Sequence, residues 1–167
     1  MDFGVRISPS PRPGSDSDRA RAWWAGFCNR GRQMDDRELE GLLRSKGVSP
    51  TSQRMQVGKI LFERPQHVCA EEILNKVHEA GYRVSKATVY NTLNLFVTRG
   101  LIRELNVDPV RMFYDSTTHT HHHFYNVDTG EVMDIPPDQV NFAIMPKLPE
   151  GTIAESVEVT IKVRNKH

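Results

Sequence analysis

Four short amphipathic segments followed by two strand-like runs constrain the fold more than any other feature of this chain. Apolar residues recur at helical spacing in the four segments, and capping residues, Pro or Gly mark most of their ends. The predicted helices cover residues 35–46, 52–62, 70–80 and 86–98. The runs 101–107 and 110–115 flank a turn at Asp108-Pro109, which predicts a β-hairpin. Helices followed by a hairpin predict a winged helix-turn-helix domain over residues 34–115.

Three further strand-like runs follow a polar hinge at residues 116–120. They cover residues 121–127, 131–135 and 156–163, and a short helix is predicted over residues 138–145. A three-stranded unit of this size leaves exposed edges and has little core. We therefore expect residues 121–167 to form a small α/β dimerisation domain, paired with a second copy of the chain. The predicted fold class is α+β.

Residues 1–33 are predicted to be a largely disordered tail. The segment 8–18 is rich in Pro, Ser and Asp and cannot bury enough apolar area to offset its ordering entropy. The pair Trp23-Trp24 with Phe27 is unusual for disorder and allows a short helix there.

Composition and charge exclude some classes of protein. No apolar run approaches the ~20 residues of a membrane span or has the form of a signal peptide, so a cytoplasmic protein without a membrane partner is expected. Net charge is +1, but residues 1–33 hold six Arg against three Asp, whereas residues 116–167 hold four basic and seven acidic side chains. This distribution is typical of a protein that contacts phosphate groups through its basic N-terminal part only.

The predicted helix 86–98 has a face suited to DNA contact. Val89, Leu93 and Phe96 repeat at intervals of four and three residues and are expected to face the core. The opposite face presents Lys86, Ala87, Tyr90, Asn91 and Asn94. The candidate DNA contacts are Arg54, Ser85, Lys86, Thr88, Tyr90, Asn91, Asn94 and Arg111, with Arg103 as a further phosphate contact. The alternatives are an ordinary polar surface face and solvated surface arginines.

Four of the seven histidines lie within residues 119–123. In an extended strand alternate residues share a face, so His121 and His123 can direct both imidazoles at one cation. The alternative is a solvated polar hinge that happens to be rich in histidine. A metal-binding cluster that follows a DNA-reading helix indicates a transcription factor that senses a metal.

Several motifs resemble the ferric uptake regulator (Fur) superfamily over about residues 37–164. They are the segments 47–54, 67–71, 87–93 and 100–102, together with the histidine run. Within the superfamily the chain is most similar to the iron response regulators (Irr), which share the triplet His121-His122-His123 and the pair Asp134-Ile135. A Met-Pro-x-x-Pro-x-Gly segment like residues 145–151 is also shared.

The resemblance implies a homodimer that binds AT-rich palindromic operators in double-stranded DNA. Helix 86–98 of each subunit would then lie in one of two successive major grooves. It also implies a metal site formed by His67, His121, His123 and Asp134. The family's remaining acidic ligand falls at Tyr114, so the neighbouring Asp115 is a candidate substitute. This ligand set suits Fe²⁺, Mn²⁺ or Zn²⁺ and does not choose among them.

Some positions depart from the family pattern. Cys28 and Cys69 form no Cys-x-x-Cys pair, and the first of the family's zinc-binding pairs falls at Asn126 and Thr129, so a structural four-cysteine zinc site is not expected. The second regulatory site retains only His122. In Irr proteins the triplet region is associated with haem, which makes His121, His122 and His123 candidate haem ligands. A Cys-Pro haem motif is not supported.

The predicted function is therefore an iron- or haem-responsive transcriptional regulator without enzymatic activity. In Fur-type regulators metal promotes DNA binding, whereas in Irr-type regulators haem abolishes it, and the triplet and the missing cysteines favour the Irr type. One alternative is a metal-corepressed repressor, and another is a peroxide sensor in which Fe²⁺ leads to oxidation of His67 or His121. A metalloenzyme is disfavoured, because no nucleophile or general base accompanies the ligands. A storage protein is disfavoured, because the chain offers one site per subunit on a winged-helix scaffold.

Overall fold

The structure, a computed structural model, describes residues 34–135 and 139–166. The tail predicted over residues 1–33, with Trp23, Trp24 and Phe27, lies outside the described residues. From Met34 onward the chain forms one compact unit. None of the described helices is both long enough and apolar enough to cross a membrane.

The four predicted helices form within one residue of their expected ends. They are α1 (Asp36–Ser45), α2 (Ser52–Leu61), α3 (Ala70–Glu79) and α4 (Lys86–Thr98). Asp35 caps α1, because its carboxylate accepts from the N–H of Glu38 and the Glu38 carboxylate accepts from the N–H of Asp35. Gly47 and Gly81 follow α1 and α3 with φ angles of 70° and 82°, a region that glycine adopts without strain.

The helices pack around one apolar core. Val89, Leu93 and Phe96 of α4 are fully buried, which confirms the expected core face. The rings of Phe62 and Phe96 lie 5.9 Å apart. A side chain at Gly58 of α2 would come within 3.2 Å of Leu39, so glycine allows α1 to approach closely there.

The predicted hairpin forms, but its strands are shorter than expected. They are β2 (Arg103–Leu105) and β3 (Phe113–Asp115), paired antiparallel. Between them Asp108 Oδ1 accepts from the N–H groups of Val110 and Arg111, which replaces strand pairing with a tight turn. A further strand, β1 (His67–Cys69), was not predicted; it pairs with β3 and completes a sheet of order β1-β3-β2.

The second sheet has the order β5-β4-β6. Its strands are β4 (His122–Asn126), β5 (Val132–Ile135) and β6 (Thr160–Val163), with β5 antiparallel and β6 parallel to β4. This confirms the three predicted strands, although β6 begins four residues later than expected.

The helix predicted over residues 138–145 does not form over residues 140–145, and residue 139 lies in a 3-10 turn. Residue 138 lies outside the described residues. Phe142, Ile144 and Met145 are 45%, 88% and 42% exposed. A short helix needs an apolar face that packs closely, whereas Ile144 is almost fully exposed and only Phe142 has a ring contact, with His122 at a centroid distance of 6.0 Å.

The hairpin and the second sheet share a small core. Leu105, Val107 and Phe113 pack with Tyr125 of β4, and Val127 and Val132 lie at the edge of this cluster. The hydroxyl of Tyr125 also donates to the carboxylate of Asp108 in the hairpin turn. Residues of the winged-helix segment are therefore in direct contact with β4.

Candidate metal centre

β1 places His67 beside the second sheet. The side-chain amide of Gln66 donates to the carbonyls of Ile60 and Leu61 at the end of α2, at 2.7 and 3.0 Å. The N–H of Gln66 donates to Ser116 Oγ, next to the end of β3. These bonds satisfy carbonyls that the helix end leaves without partners and fix the residue before His67.

The alternation of β4 buries one face of the histidine run. His121 and His123 are 6% and 1% exposed, whereas His122 points to the other face and is half-buried. His123 is paired in register with Asp134 of β5, which brings a carboxylate to the same place.

Four side chains converge where the two sheets meet. Asp134 Oδ1 lies 3.0 Å from His67 Nε2, 2.9 Å from His121 Nε2 and 3.7 Å from His123 Nε2. One ligand atom from each residue lies within 4.8 Å of the other three. Ligands bound at about 2.0–2.2 Å around one divalent ion are at most about 4.4 Å apart, so the four atoms need to move only slightly inward to share an ion.

The close approach of these side chains shifts the pKa values of three of them. Burial disfavours the charged imidazole of His67, but the nearby carboxylates of Asp115 and Asp134, 3.7 and 3.0 Å from its Nε2, outweigh burial and raise its pKa to about 9. In the same way, Asp134 outweighs burial and raises the pKa of His121. Burial opposes ionisation of Asp134, yet His121 and His67 hold the pKa of its carboxyl well below its usual range.

The donor set fits a divalent metal ion. His67 Nε2 is buried and has no hydrogen-bond partner, since its 3.0 Å approach to Asp134 lacks the alignment of a hydrogen bond. A buried imidazole nitrogen without a partner costs free energy that a metal ion would recover. Three imidazoles and one carboxylate are ordinary ligands for Zn²⁺, Fe²⁺ or Mn²⁺.

Asp115, the candidate substitute ligand, lies at the edge of this cluster. Its carboxylate is fully buried, and Oδ2 lies 3.7 Å from His67 Nε2, 3.4 Å from His121 Nε2 and 3.7 Å from His123 Nε2. Oδ1 accepts from the N–H of Thr117 at 2.7 Å. Burial disfavours its charged form, but His123 and His67 hold the pKa of the Asp115 carboxyl well below its usual range.

Arg103 has a different place from the one expected. It was predicted as a phosphate contact or a solvated arginine, but its side chain is only 18% exposed and turns into the cluster. Its Nε donates to Asp115 Oδ2 at 3.0 Å, and Nη1 donates to Glu158 at 2.6 Å. Nη2 lies 3.2 Å from His121 Nδ1. Arg103 is paired in register with Asp115, so a prediction of the hairpin register would have suggested this ion pair.

The predicted DNA-contact residues lie mainly on α4 and its N-terminus. Lys86, Ala87, Asn91 and Asn94 are exposed, and Ser85 caps the helix by accepting from the N–H of Thr88. Tyr90 donates to Glu71 of α3, and the Lys86 ammonium lies 3.4 Å from the same carboxylate.

The two predicted arginine contacts outside α4 are engaged within the chain. Arg54 donates to the carbonyl of Ser49, and Arg111 pairs with Asp108 at 3.3 Å. Both remain near the surface, since Arg54 is partly exposed and Arg111 is exposed.

The fold and the cluster define a winged-helix DNA-binding protein that responds to a metal. Consistent with this class, the model of the ferric uptake regulator family matches residues 45–162. The chain therefore belongs to the ferric uptake regulator family, whose members are metal-responsive transcriptional regulators and not enzymes, and bind DNA as dimers.

Similar proteins agree with this assignment. The peroxide-responsive repressor PerR of Staphylococcus aureus strain USA300 is 31% identical over 99 residues, which are 59% of this chain and 67% of PerR. The ferric uptake regulator of Pseudomonas aeruginosa with manganese has a TM-score of 0.60 and 26% identity, covering 77% of this chain and 98% of that protein. The Vibrio cholerae ferric uptake regulator, at 22% identity and a TM-score of 0.59, covers 75% of this chain and 98% of that protein and shows the same fold.

Proposed function

We propose that this chain is a homodimeric repressor whose affinity for DNA is set by one divalent metal ion per subunit. The ligands are His67, His121, His123 and Asp134, and the ion is Fe²⁺, Mn²⁺ or Zn²⁺. The observation that supports this most strongly is the convergence of four ligand atoms within 4.8 Å of one another, including a buried nitrogen, His67 Nε2, that makes no hydrogen bond. The solved structure of the Pseudomonas aeruginosa regulator carries manganese, which agrees with this class of ion.

The ligands come from both parts of the chain, which gives metal binding a route to DNA. His67 belongs to the winged-helix domain proposed over residues 34–115, whereas the other three belong to the dimerisation domain proposed over residues 121–167. A bound ion supplies positive charge that neutralises Asp134 and links the two domains. In a dimer the angle between domains sets the separation of the two α4 helices, which must match one turn of DNA, about 34–36 Å.

The proposed hinge at residues 116–120 is buried at its start and exposed at its end. Ser116 and Thr117 are buried, and Ser116 Oγ accepts from the N–H of Gln66. Residues 118–120 are exposed. We therefore place the pivot at residues 118–120, directly before the ligand His121.

A DNA-binding assay tests the proposal and gives the sign of the response. The full chain, freed of metal, is titrated with operator DNA selected from a randomised pool, alone and with Fe²⁺, Mn²⁺, Zn²⁺ or haem. We expect at least one of the three ions to change the affinity by about tenfold or more, the usual range of coupling between sites. An affinity that none of the ions changes would remove the proposed metal control.

Metal affinity is expected to rise with pH. Only the neutral imidazole binds a metal, and the pKa of His67 in the metal-free protein is raised to about 9. At neutral pH the ion must therefore displace a proton, and each unit of pH gains up to about tenfold in affinity until the pKa is passed. Calorimetry of Zn²⁺ binding near neutral pH, in buffers of different ionisation enthalpy, should detect about one released proton or more. Binding without proton release would contradict this reading of His67.

Asn91 is the best placed candidate for reading a base edge, because it is exposed in the middle of α4. Asn91→Ala is expected to weaken binding to the selected operator by about 1–3 kcal/mol and to leave binding to random DNA nearly unchanged. Asn75→Ala, at an exposed asparagine of α3 outside the predicted contact set, is the control. Equal losses on both kinds of DNA would mean that Asn91 contacts only the backbone.

A peroxide response is a second candidate, favoured by the similarity to PerR and by the carboxylate of Asp134 within reach of His67 and His121. In this hypothesis Fe²⁺ at the centre leads to oxidation of one of these histidines. Mass spectrometry after peroxide treatment of the Fe²⁺-loaded protein should find one added oxygen on His67 or His121. The Mn²⁺-loaded protein is the control, and equal oxidation of both would exclude a sensing role.

The Irr-type haem response remains a narrower prediction, which the relatives named above do not support. His122 lies on the opposite face of β4 from His121 and His123, beside the ring of Phe142 at a centroid distance of 6.0 Å. Its Nδ1 accepts from the N–H of Val159. The three histidines therefore do not form one ligand set. A haem spectrum that is unchanged by His122→Ala would exclude His122 as the axial ligand.

A further inference from the structure

We propose that Glu71 sets the DNA specificity of this chain by positioning the ring of Tyr90 and by offsetting the charge of Lys86. This inference rests on the proposed function, in which α4 is the helix that enters DNA. Glu71 lies in the first turn of α3 and is not among the predicted DNA contacts. It therefore acts on DNA through two residues of the neighbouring helix.

One oxygen of Glu71 contacts two side chains of α4. The Tyr90 hydroxyl donates to Glu71 Oε1 at 2.5 Å, and the Lys86 ammonium lies 3.4 Å from the same atom. The ammonium is also 5.5 Å from the centre of the Tyr90 ring, within the range of a cation–π contact. The three side chains form a closed cluster over the first turns of α4, on the face proposed to meet DNA.

The hydrogen bond restricts the Tyr90 ring before DNA binds. A hydroxyl that donates to a carboxylate at this distance makes a charge-assisted bond, stronger than one between neutral groups. The bond raises the pKa of Tyr90 to about 12 and lowers that of Glu71, so at neutral pH the phenol stays a donor and the carboxylate stays an acceptor. A ring held in one orientation loses less conformational entropy when it packs on a base.

Glu71 also reduces the positive charge that α4 offers to phosphates. Both Glu71 and Lys86 are more than half exposed, so their ion pair adds little to the stability of the fold. Sequence-independent binding, however, depends on how many phosphates the basic side chains neutralise. A carboxylate beside Lys86 therefore weakens binding to any DNA.

The two effects together favour the operator over other DNA. In a complex that is out of register, α4 is held mainly by charge, and nothing compensates for the carboxylate. On the operator the positioned Tyr90 ring offsets the same cost. A group that weakens binding to wrong partners more than to the right one raises specificity.

Salt titrations of the full chain test the charge effect. Affinities for the selected operator and for random DNA are measured by fluorescence anisotropy, in the metal state that binds the operator more tightly. Glu71→Gln keeps an acceptor for the Tyr90 hydroxyl and removes the charge. We expect it to raise the affinity for random DNA by about tenfold at low salt and to steepen the salt dependence by about 0.9 per subunit. Operator affinity should rise by less, so the operator-to-random ratio should fall.

A double-mutant cycle tests the positioning of Tyr90. Glu71→Ala removes the same charge as Glu71→Gln but also removes the acceptor, so its operator affinity should be lower than that of Glu71→Gln by about fivefold. Tyr90→Phe should lower operator affinity without changing the salt dependence. In the Glu71→Ala background Tyr90→Phe should have no further effect, because the hydrogen bond is already absent. An additive loss there would mean that the hydroxyl contacts DNA directly and would overturn the positioning role.

Glu40→Gln is the matched control for the charge. Glu40 pairs with Arg44 on α1 at 2.7 Å, and both side chains are exposed to an extent similar to those of Glu71 and Lys86. The variant makes the same change of charge outside the predicted DNA contacts and should leave the salt dependence nearly unchanged. Equal steepening in Glu40→Gln and Glu71→Gln would reduce the effect to net charge and overturn the proposal. Circular dichroism verifies that each variant folds.

Failure of the proposed function gives a different signature. If the wild-type chain prefers no sequence from the randomised pool, the proposed repressor function falls. If wild type prefers its operator while both Glu71 variants keep its operator-to-random ratio and its salt dependence, the repressor function stands and the role of Glu71 falls.

Discussion

Replacing His123 with Ala is expected to lower the affinity for Mn²⁺ by at least about 100-fold and to remove the effect of metal on DNA binding. His123 is 1% exposed, and its Nε2 lies 3.7 Å from the carboxylates of both Asp115 and Asp134. Changes in residues that only support metal ligands already cost about 10–100-fold in affinity, so loss of a ligand should cost more. Metal affinity is measured by competition titration, and DNA affinity by fluorescence anisotropy with and without Mn²⁺.

His122→Ala is the matched control, since it removes an imidazole from the neighbouring position on the other face of β4. It should keep the metal response, although it loses the hydrogen bond from the N–H of Val159. The metal-free His123→Ala variant should bind DNA as wild type does. If its DNA affinity collapsed without metal, His123 would have a structural role and the proposed control of DNA binding would lose its support.

Phe96→Ala is expected to lower the free energy of unfolding by about 3–5 kcal/mol. Phe96 is completely buried in α4 and lies 5.9 Å from the ring of Phe62, so truncation leaves a cavity between helices. The loss is a large part of the about 5–15 kcal/mol that stabilises an ordinary domain. Urea denaturation followed by circular dichroism measures it.

Asn94→Ala, two residues earlier on the exposed face of α4, is the control for this variant. It should change stability by no more than about 0.5 kcal/mol. If Phe96→Ala also changed stability by so little, the core around α4 would have to rearrange to fill the space. The buried apolar repeat of α4 would then not be essential to the fold.

The elements that the sequence analysis predicted well are those with strong local patterns. α4 begins at a capping serine and repeats Val89, Leu93 and Phe96 on its buried face, and both of its ends agree with the prediction. β4 follows the alternation that buries His121 and His123. In both cases spacing along the chain alone determines which side chains face inward.

The features that were missed depend on contacts between distant residues. β1 has three residues, too few to show alternation, and it exists because it pairs with β3, which lies about 45 residues further along the chain. The contact of Arg103 with Glu158 joins residues 55 positions apart. The helix expected over residues 138–145 does not form over residues 140–145, where the exposed Ile144 shows that little packing supports a helix.

β4 and the residue before it carry two of the proposed metal ligands and the contact with the hairpin on one face. His121, His123 and Tyr125 alternate inward along this strand, and Tyr125 packs on Phe113 while its hydroxyl donates to Asp108. Successive inward positions on a strand are about 7 Å apart. Two imidazoles of the cluster and the phenol ring that meets the wing therefore stand side by side along five residues of one backbone segment.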